Sequence, residues 1–322
     1  MTRRPLPPPL HVPQPGFGRR TPPVLFVPVM GLFGLGLAWR AAGGAFGGLQ
    51  WLGELTLGAT TLLFLFVLAA WLAKPLRRPA VLFDELRVLP GRAGLAAGSL
   101  SLMLLAASLA PLLPGVAAVL AGLAFALHLA LAVVFLGVLR AGPVEGRVVS
   151  PVFHLVFVGF IIGGLAANAL GHAGLAQGLV WLTVPPATVI YAISARQFLG
   201  APPPAPLRPL LAIHLAPACL FALVAQGAGM AAAPVFAGLA IVIFLVLLAS
   251  VRWLLAAGFT PLWGALTFPL AAFASVLVTF SGGQGAAGAA GAVMLVLASL
   301  AVGGIAWRIL MLWPGGRLAA RT

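Results

Sequence analysis

The chain has 322 residues, 62% of them hydrophobic and 7% charged, with Lys+Arg 18 against Asp+Glu 4 and a mean hydropathy of +1.15. A soluble domain carries about a quarter charged residues because its surface must be solvated, so this composition excludes one and calls for a bilayer as the second solvent. The formal net charge of +14 suggests nucleic-acid binding only in a soluble protein; here the basic residues stand singly or in pairs between long apolar runs, which is a topology pattern.

Residues 1–22 are basic but Pro-rich where a signal peptide needs an apolar stretch, so they are expected to form a cytoplasmic tail. Apolar runs then recur at 23–42, 49–73, 93–113, 116–139, 150–171, 174–194, 207–227, 230–255, 259–281 and 285–312. A spanning helix takes roughly 20 residues, so ten of them use about 200 and leave no room for a soluble domain. The expected organisation is an all-α integral membrane domain over 23–312, followed by a cytoplasmic tail over 313–322.

The basic residues orient these runs. Arg3, Arg4, Arg19 and Arg20 precede the first; Lys74, Arg77, Arg78, Arg87 and Arg92 follow the second; Arg140 and Arg147 follow the fourth. Arg196 and Arg208 follow the sixth, Arg252 belongs to the eighth connection, and Arg308, Arg317 and Arg321 close the chain. Of the 18 basic residues only Arg40 falls on the other side, which places both termini in the cytoplasm by the positive-inside rule. The outer connections are short and rich in Gly and Pro, so the helices pair as five hairpins, a repeat that would enclose a central pore. The odd helices carry more small and helix-bending residues, among them Pro28, Gly98, Gly159, Pro217 and Pro269, and are expected to form an inner ring inside the bulkier even helices.

Chemistry-bearing residues are sparse. Cys219 has no partner in the chain, which excludes a disulfide and a cysteine metal site. His128, His154 and His214 are isolated, without metal-ligand spacing, and are expected to make interhelical hydrogen bonds or to sit at the membrane interface. Glu54 is expected to be a solvated carboxylate or to pair with Arg40, and Asp84 and Glu85 to form a solvated salt-bridge cluster with the surrounding Lys and Arg. No catalytic constellation, nucleotide fingerprint or ATPase motif is present, so neither an enzyme nor a primary pump is expected, and no cofactor or metal is required.

Several stretches resemble the tellurite-resistance/dicarboxylate transporter family, whose members include TehA-like and plant slow-anion-channel-like proteins. They are Phe26-Val27-Pro28-Val29-Met30-Gly31 with Gly36-Leu37-Ala38-Trp39, Leu82-Phe83-Asp84-Glu85-Leu86-Arg87 with Pro90-Gly91-Arg92, and Ser150-Pro151-Val152-Phe153-His154. Leu215-Ala216-Pro217-Ala218 and Leu266-Thr267-Phe268-Pro269-Leu270 complete a collinear set from about residue 23 to about 310. The resemblance implies ten helices, kinked inner helices lining an hourglass pore, a homotrimer in the inner membrane, and passage of small inorganic or dicarboxylate anions, with tellurite and sulfite among the family's attributed substrates. It maps the pore-occluding aromatic onto Phe268. The sequence departs from the family where Gly98-Ser99 and Val156 to Gly159 replace prolines of helices 3 and 5, and where Pro269 follows the phenylalanine.

The expected function is therefore an anion channel or carrier gated by Phe268. Pro28, Pro217, Pro269, Gly98 and Gly159 are expected to be kink positions along the pore, and Arg92, Arg147 and Arg208 to be inner-mouth charges that concentrate anions. Two alternatives are a drug/metabolite exporter of two inverted five-helix halves and a membrane haem carrier using His154 and His214. The five-hairpin charge pattern argues against the exporter.

Overall fold

The computed structural model describes residues 18 and 20–321, so the first seventeen residues and Arg19, and with them most of the predicted N-terminal tail, lie outside the described part. Among the described residues every regular element is helical. Ten apolar helices follow one another: α1 Pro23–Phe46, α2 Gln50–Leu72, α3 Leu89–Leu109, α4 Pro114–Ala141, α5 His154–Ala169, α6 Ala173–Gly200, α7 Ala205–Gly227, α8 Ala233–Ala249, α9 Pro261–Ser281 and α10 Gly285–Met311. Eight are long and apolar enough to cross a membrane; α5 and α8 are shorter. Helices suit such an environment because each satisfies its own backbone hydrogen bonds.

The odd and even helices occupy different layers. The most apolar stretches of α1, α3, α7 and α9 are 67% to 78% buried, whereas those of α2, α4, α6 and α10 are 28% to 39% buried. The odd helices close on themselves: α1 packs on α3 and α9, α3 on α5, α5 on α7, and α7 on α9. Each even helix packs against the odd helix before it in the chain, and its outer face carries exposed Leu, Val, Phe and Trp side chains.

Small residues permit the close approaches, since packing between helices in a membrane depends on contact and not on apolar burial. A Cβ on Gly94 of α3 would fall on the main chain of Pro23 and Val24, and one on Gly53 of α2 would lie 2.6 Å from the backbone nitrogen of Arg40. Gly282, with φ 57°, ends α9 in the left-handed conformation and starts the tight turn into α10, a geometry that glycine adopts without a Cβ clash.

Helix ends differ from the sequence expectation where a charge or a proline misleads. Helix α3 starts at Leu89, not at 93, because the buried Arg92 is solvated by main chain: its Nε donates to Leu86 O at 2.7 Å and its Nη1 to Gly146 O at 3.0 Å. The Pro185-Pro186 pair lies inside α6, which continues through it to Gly200. The connector between α2 and α3 forms a short helix, Val81–Arg87, whose Glu85 pairs with Lys74 and accepts from Trp71 Nε1, while Asp84 pairs with Arg78 at 2.7 Å.

Candidate functional site

The site begins with a change of winding in the inner helices. In α1, α7 and α9 a 3-10 stretch, respectively Pro23–Leu25, Ala205–His214 and Pro261–Leu266, precedes the α-helical part. Pro28, Pro217 and Pro269 each stand third in the α-helical part that follows. A proline there has no N–H for the carbonyl four residues back, so the turn before it is free to wind more tightly.

Helix α5 breaks its winding without proline. A π-turn over His154–Val158 passes into a 3-10 turn over Gly159–Ile161 before the α-helix resumes. The irregular backbone is held by His128 of α4, whose Nε2 lies 3.0 Å from Val156 O and whose Nδ1 lies 2.8 Å from Ser99 Oγ of α3. Since a carbonyl only accepts, Nε2 donates to Val156. His128 thus joins three helices, as its isolation in the sequence leads one to expect. Helix α3 remains one α-helix through Gly98-Ser99, and Gly98 provides room for the Phe26 ring.

Inside the ring lie two cavities, each bordered by all five odd helices. The first is a narrow cavity of about 60 Å³, lined from the N-terminal halves of these helices by residues such as Val27, Ala93, Val158, Ile213 and Ala265. It is apolar apart from His154. The second is larger, about 470 Å³, and is lined from the C-terminal halves, with Arg40, Asn168, Gln226, Ser275 and Thr279 as its polar side chains. Because one end of every odd helix faces each cavity, the five helices run parallel around an axis.

Phe268 of α9 and Leu220 of α7 border both cavities. The Phe268 ring, 5% exposed, lies over Gly34 of α1, where an added Cβ would sit 2.9 Å from its Cδ2. Thr267 Oγ1 donates to Gly264 O at 2.7 Å and steadies the backbone beneath the ring. An apolar neck of this kind opposes ions by withholding both water and ligands.

The remaining sequence-predicted residues fall in different places. Gly159, Pro217 and Pro269 line the first cavity; Pro28 and Gly98 are buried and line neither. None of the three arginines expected at the inner mouth lines a cavity. Arg92 is the buried clamp described above and also lies over the Phe135 ring. Arg147 Nη2 donates to Arg140 O and Gly142 O and so closes the end of α4. Arg208 Nε donates to Pro203 O, and its guanidinium stacks 4.2 Å from the Trp253 ring.

Sequence reasoning missed Arg40 as a site residue, having placed it only as a partner of Glu54. The pair forms: Arg40 Nε and Nη2 donate to the Glu54 carboxylate at 2.7 and 2.8 Å, and Nη1 donates to Ser108 O at 2.9 Å. The signal was its position as the one basic residue on the far side. His154 Nε2 and His214 Nδ1 are 3.0 Å apart and share a hydrogen bond. A haem iron held between two histidines sets their nitrogens about 4 Å apart on opposite faces, and this hydrogen-bonded pair does not have that arrangement. Among the described residues no group of three or more His, Cys, Asp or Glu gathers in one place.

A closed ring of parallel apolar helices, in a chain whose described residues hold eight helices long enough to span a bilayer, defines a multi-pass helical membrane protein with two cavities along its axis. A family model, SLAC1, described as voltage-dependent anion channel, matches residues 20–310, and the chain belongs to that family. This agrees with the resemblance carried by the collinear motifs of the first, fifth, seventh and ninth helices. No curated protein sequence matches the chain.

Proposed function

We propose that the protein is an anion channel of the inner membrane that crosses the bilayer ten times, keeps both termini in the cytoplasm, and is closed by Phe268. The observation that carries the reading is the neck: Phe268 and Leu220 are the side chains common to two cavities that are otherwise separate. The first cavity is then the cytoplasmic vestibule and the second the outer one. Five helix N-termini converge on the cytoplasmic vestibule, and their partial positive charge favours an anion without a fixed ligand that would hold it. The outer vestibule contributes Arg40. Among the described residues no carboxylate borders either cavity, and Glu54 is clamped by that arginine.

Chloride and nitrate suit a narrow apolar neck better than dicarboxylate, sulfite or tellurite, which carry more charge or bulk through it. Assembly as a homotrimer follows from the resemblance, with the exposed faces of the even helices available to lipid and to neighbouring copies. The test is flux in proteoliposomes. Protein with the neck opened by substitution is expected to pass chloride and nitrate down an imposed gradient, C4-dicarboxylates more slowly, and potassium at the background rate of empty liposomes. Potassium flux equal to that of chloride, or background flux of every anion, would overturn the reading.

A further inference from the structure

The outer vestibule contains a charged group that gating at the neck does not use. Arg40 has five N–H donors, and three of them are committed, two to Glu54 and one to Ser108 O. One N–H on each Nη remains, on a guanidinium that borders the cavity. From the other sides the cavity is bordered by Asn168 of α5, Gln226 of α7 and Ser275 of α9. The Asn168 amide is fixed by donation from Nδ2 to Val224 O at 2.9 Å, while its Oδ1 is buried without a partner among the described residues. An acceptor left over in the same cavity as a cation suits a water molecule in the shell of a bound anion: the anion takes the guanidinium, and its water donates to Asn168.

We propose that Arg40 is the anion-holding residue of the outer vestibule and that Glu54 sets how strongly it holds. The inference rests on the anion reading above and adds to it a resting site before the neck, for a small, partly hydrated monovalent anion. Two features of the pair suit this role. Glu54 neutralises most of the arginine's charge, so an anion is retained weakly enough to leave, as conduction requires. The bidentate clamp also fixes the guanidinium plane, so its free edge is presented without further ordering.

The opposite charges give the test its sign. At vestibule distances and an effective dielectric between protein and water, one elementary charge changes anion affinity about three- to tenfold. Purified full-length protein is titrated with nitrate against gluconate at constant ionic strength, and thermal stabilisation reports equilibrium binding. Glu54→Gln is expected to lower the half-saturating nitrate concentration about three- to tenfold, and Arg40→Gln to raise it by at least as much. A pair that serves only to tie α1 to α2 would move both variants in the same direction or neither, and either result overturns the proposal. Should Arg40→Gln fail to fold, Glu54→Gln decides alone: tighter nitrate binding supports the site, and unchanged or weaker binding removes it. Binding is read without flux, so a failure of this site and a failure of the channel reading are separately visible.

Discussion

Phe268→Ala is expected to raise chloride and nitrate flux on the order of ten- to a hundredfold while leaving the protein folded. The ring borders both cavities, and the residues facing it across the neck include Gly34, which has no side chain to take its place. Shortening it to a methyl group leaves Leu220 as the large side chain at the neck and lets water join the two cavities, so an ion keeps part of its hydration in transit. A reduction of the barrier by about 1.4 to 2.8 kcal/mol corresponds to that range. Phe268 faces cavities on both sides, so its truncation removes less packing than the loss of a ring such as Phe33 or Phe64, which are 0% and 1% exposed. Phe268→Leu is expected to give an intermediate rate. Flux into proteoliposomes, with thermal unfolding as the control, checks both variants, and background flux from a folded Phe268→Ala protein would remove the gate.

The second large effect is on stability. Gly94→Val is expected to abolish recovery of folded protein, at a cost above about 4 kcal/mol. A Cβ on Gly94 meets the carbonyl of Pro23 and the nitrogen of Val24, main chain against main chain, where no side-chain rotation gives relief. That crossing sets the wall of the first cavity, since Val24 and Val27 of α1 and Ala93 of α3 line it together. Gly122→Val and Gly238→Val are the matched controls. Both glycines lie on outer helices with nothing within 4 Å of the position a Cβ would take, and both variants are expected to melt like the parent. Thermal unfolding in detergent, followed by size-exclusion chromatography, compares the three. A Gly94→Val protein as stable as the parent would contradict the α1–α3 packing described above.

Much of the architecture was legible because a membrane imposes simple constraints. The apolar runs located the helices, eight of them long enough to span a membrane, with ends that differ by up to six residues, and glycine and proline placement separated inner from outer helices. The errors have physical causes. Arg92 pushed the predicted start of the third helix too far along, because charge was read as an interface marker, whereas three main-chain carbonyls solvate it within the fold. Gly159 marked the place where α5 changes its winding, but the π-turn before it and its support by His128 from another helix have no local sequence signal. The inner-mouth arginines were chosen by side of the membrane alone, and sidedness says nothing about which carbonyls a guanidinium reaches. Phe268 could be singled out from the chain's 20 phenylalanines only through the family resemblance, because no property of its neighbours in the sequence marks it.

The central claim is that two vestibules open to opposite sides of the membrane and meet at Phe268. Cys219 is the chain's single cysteine and is buried, so Cys219→Ala provides a background without thiols. Into it Ser275→Cys places a thiol in the second cavity and Ala265→Cys one in the first. A membrane-impermeant thiosulfonate is then applied from one side at a time. The account predicts that Ser275→Cys reacts only from outside and Ala265→Cys only from the cytoplasm; reaction of both from the same side would contradict it.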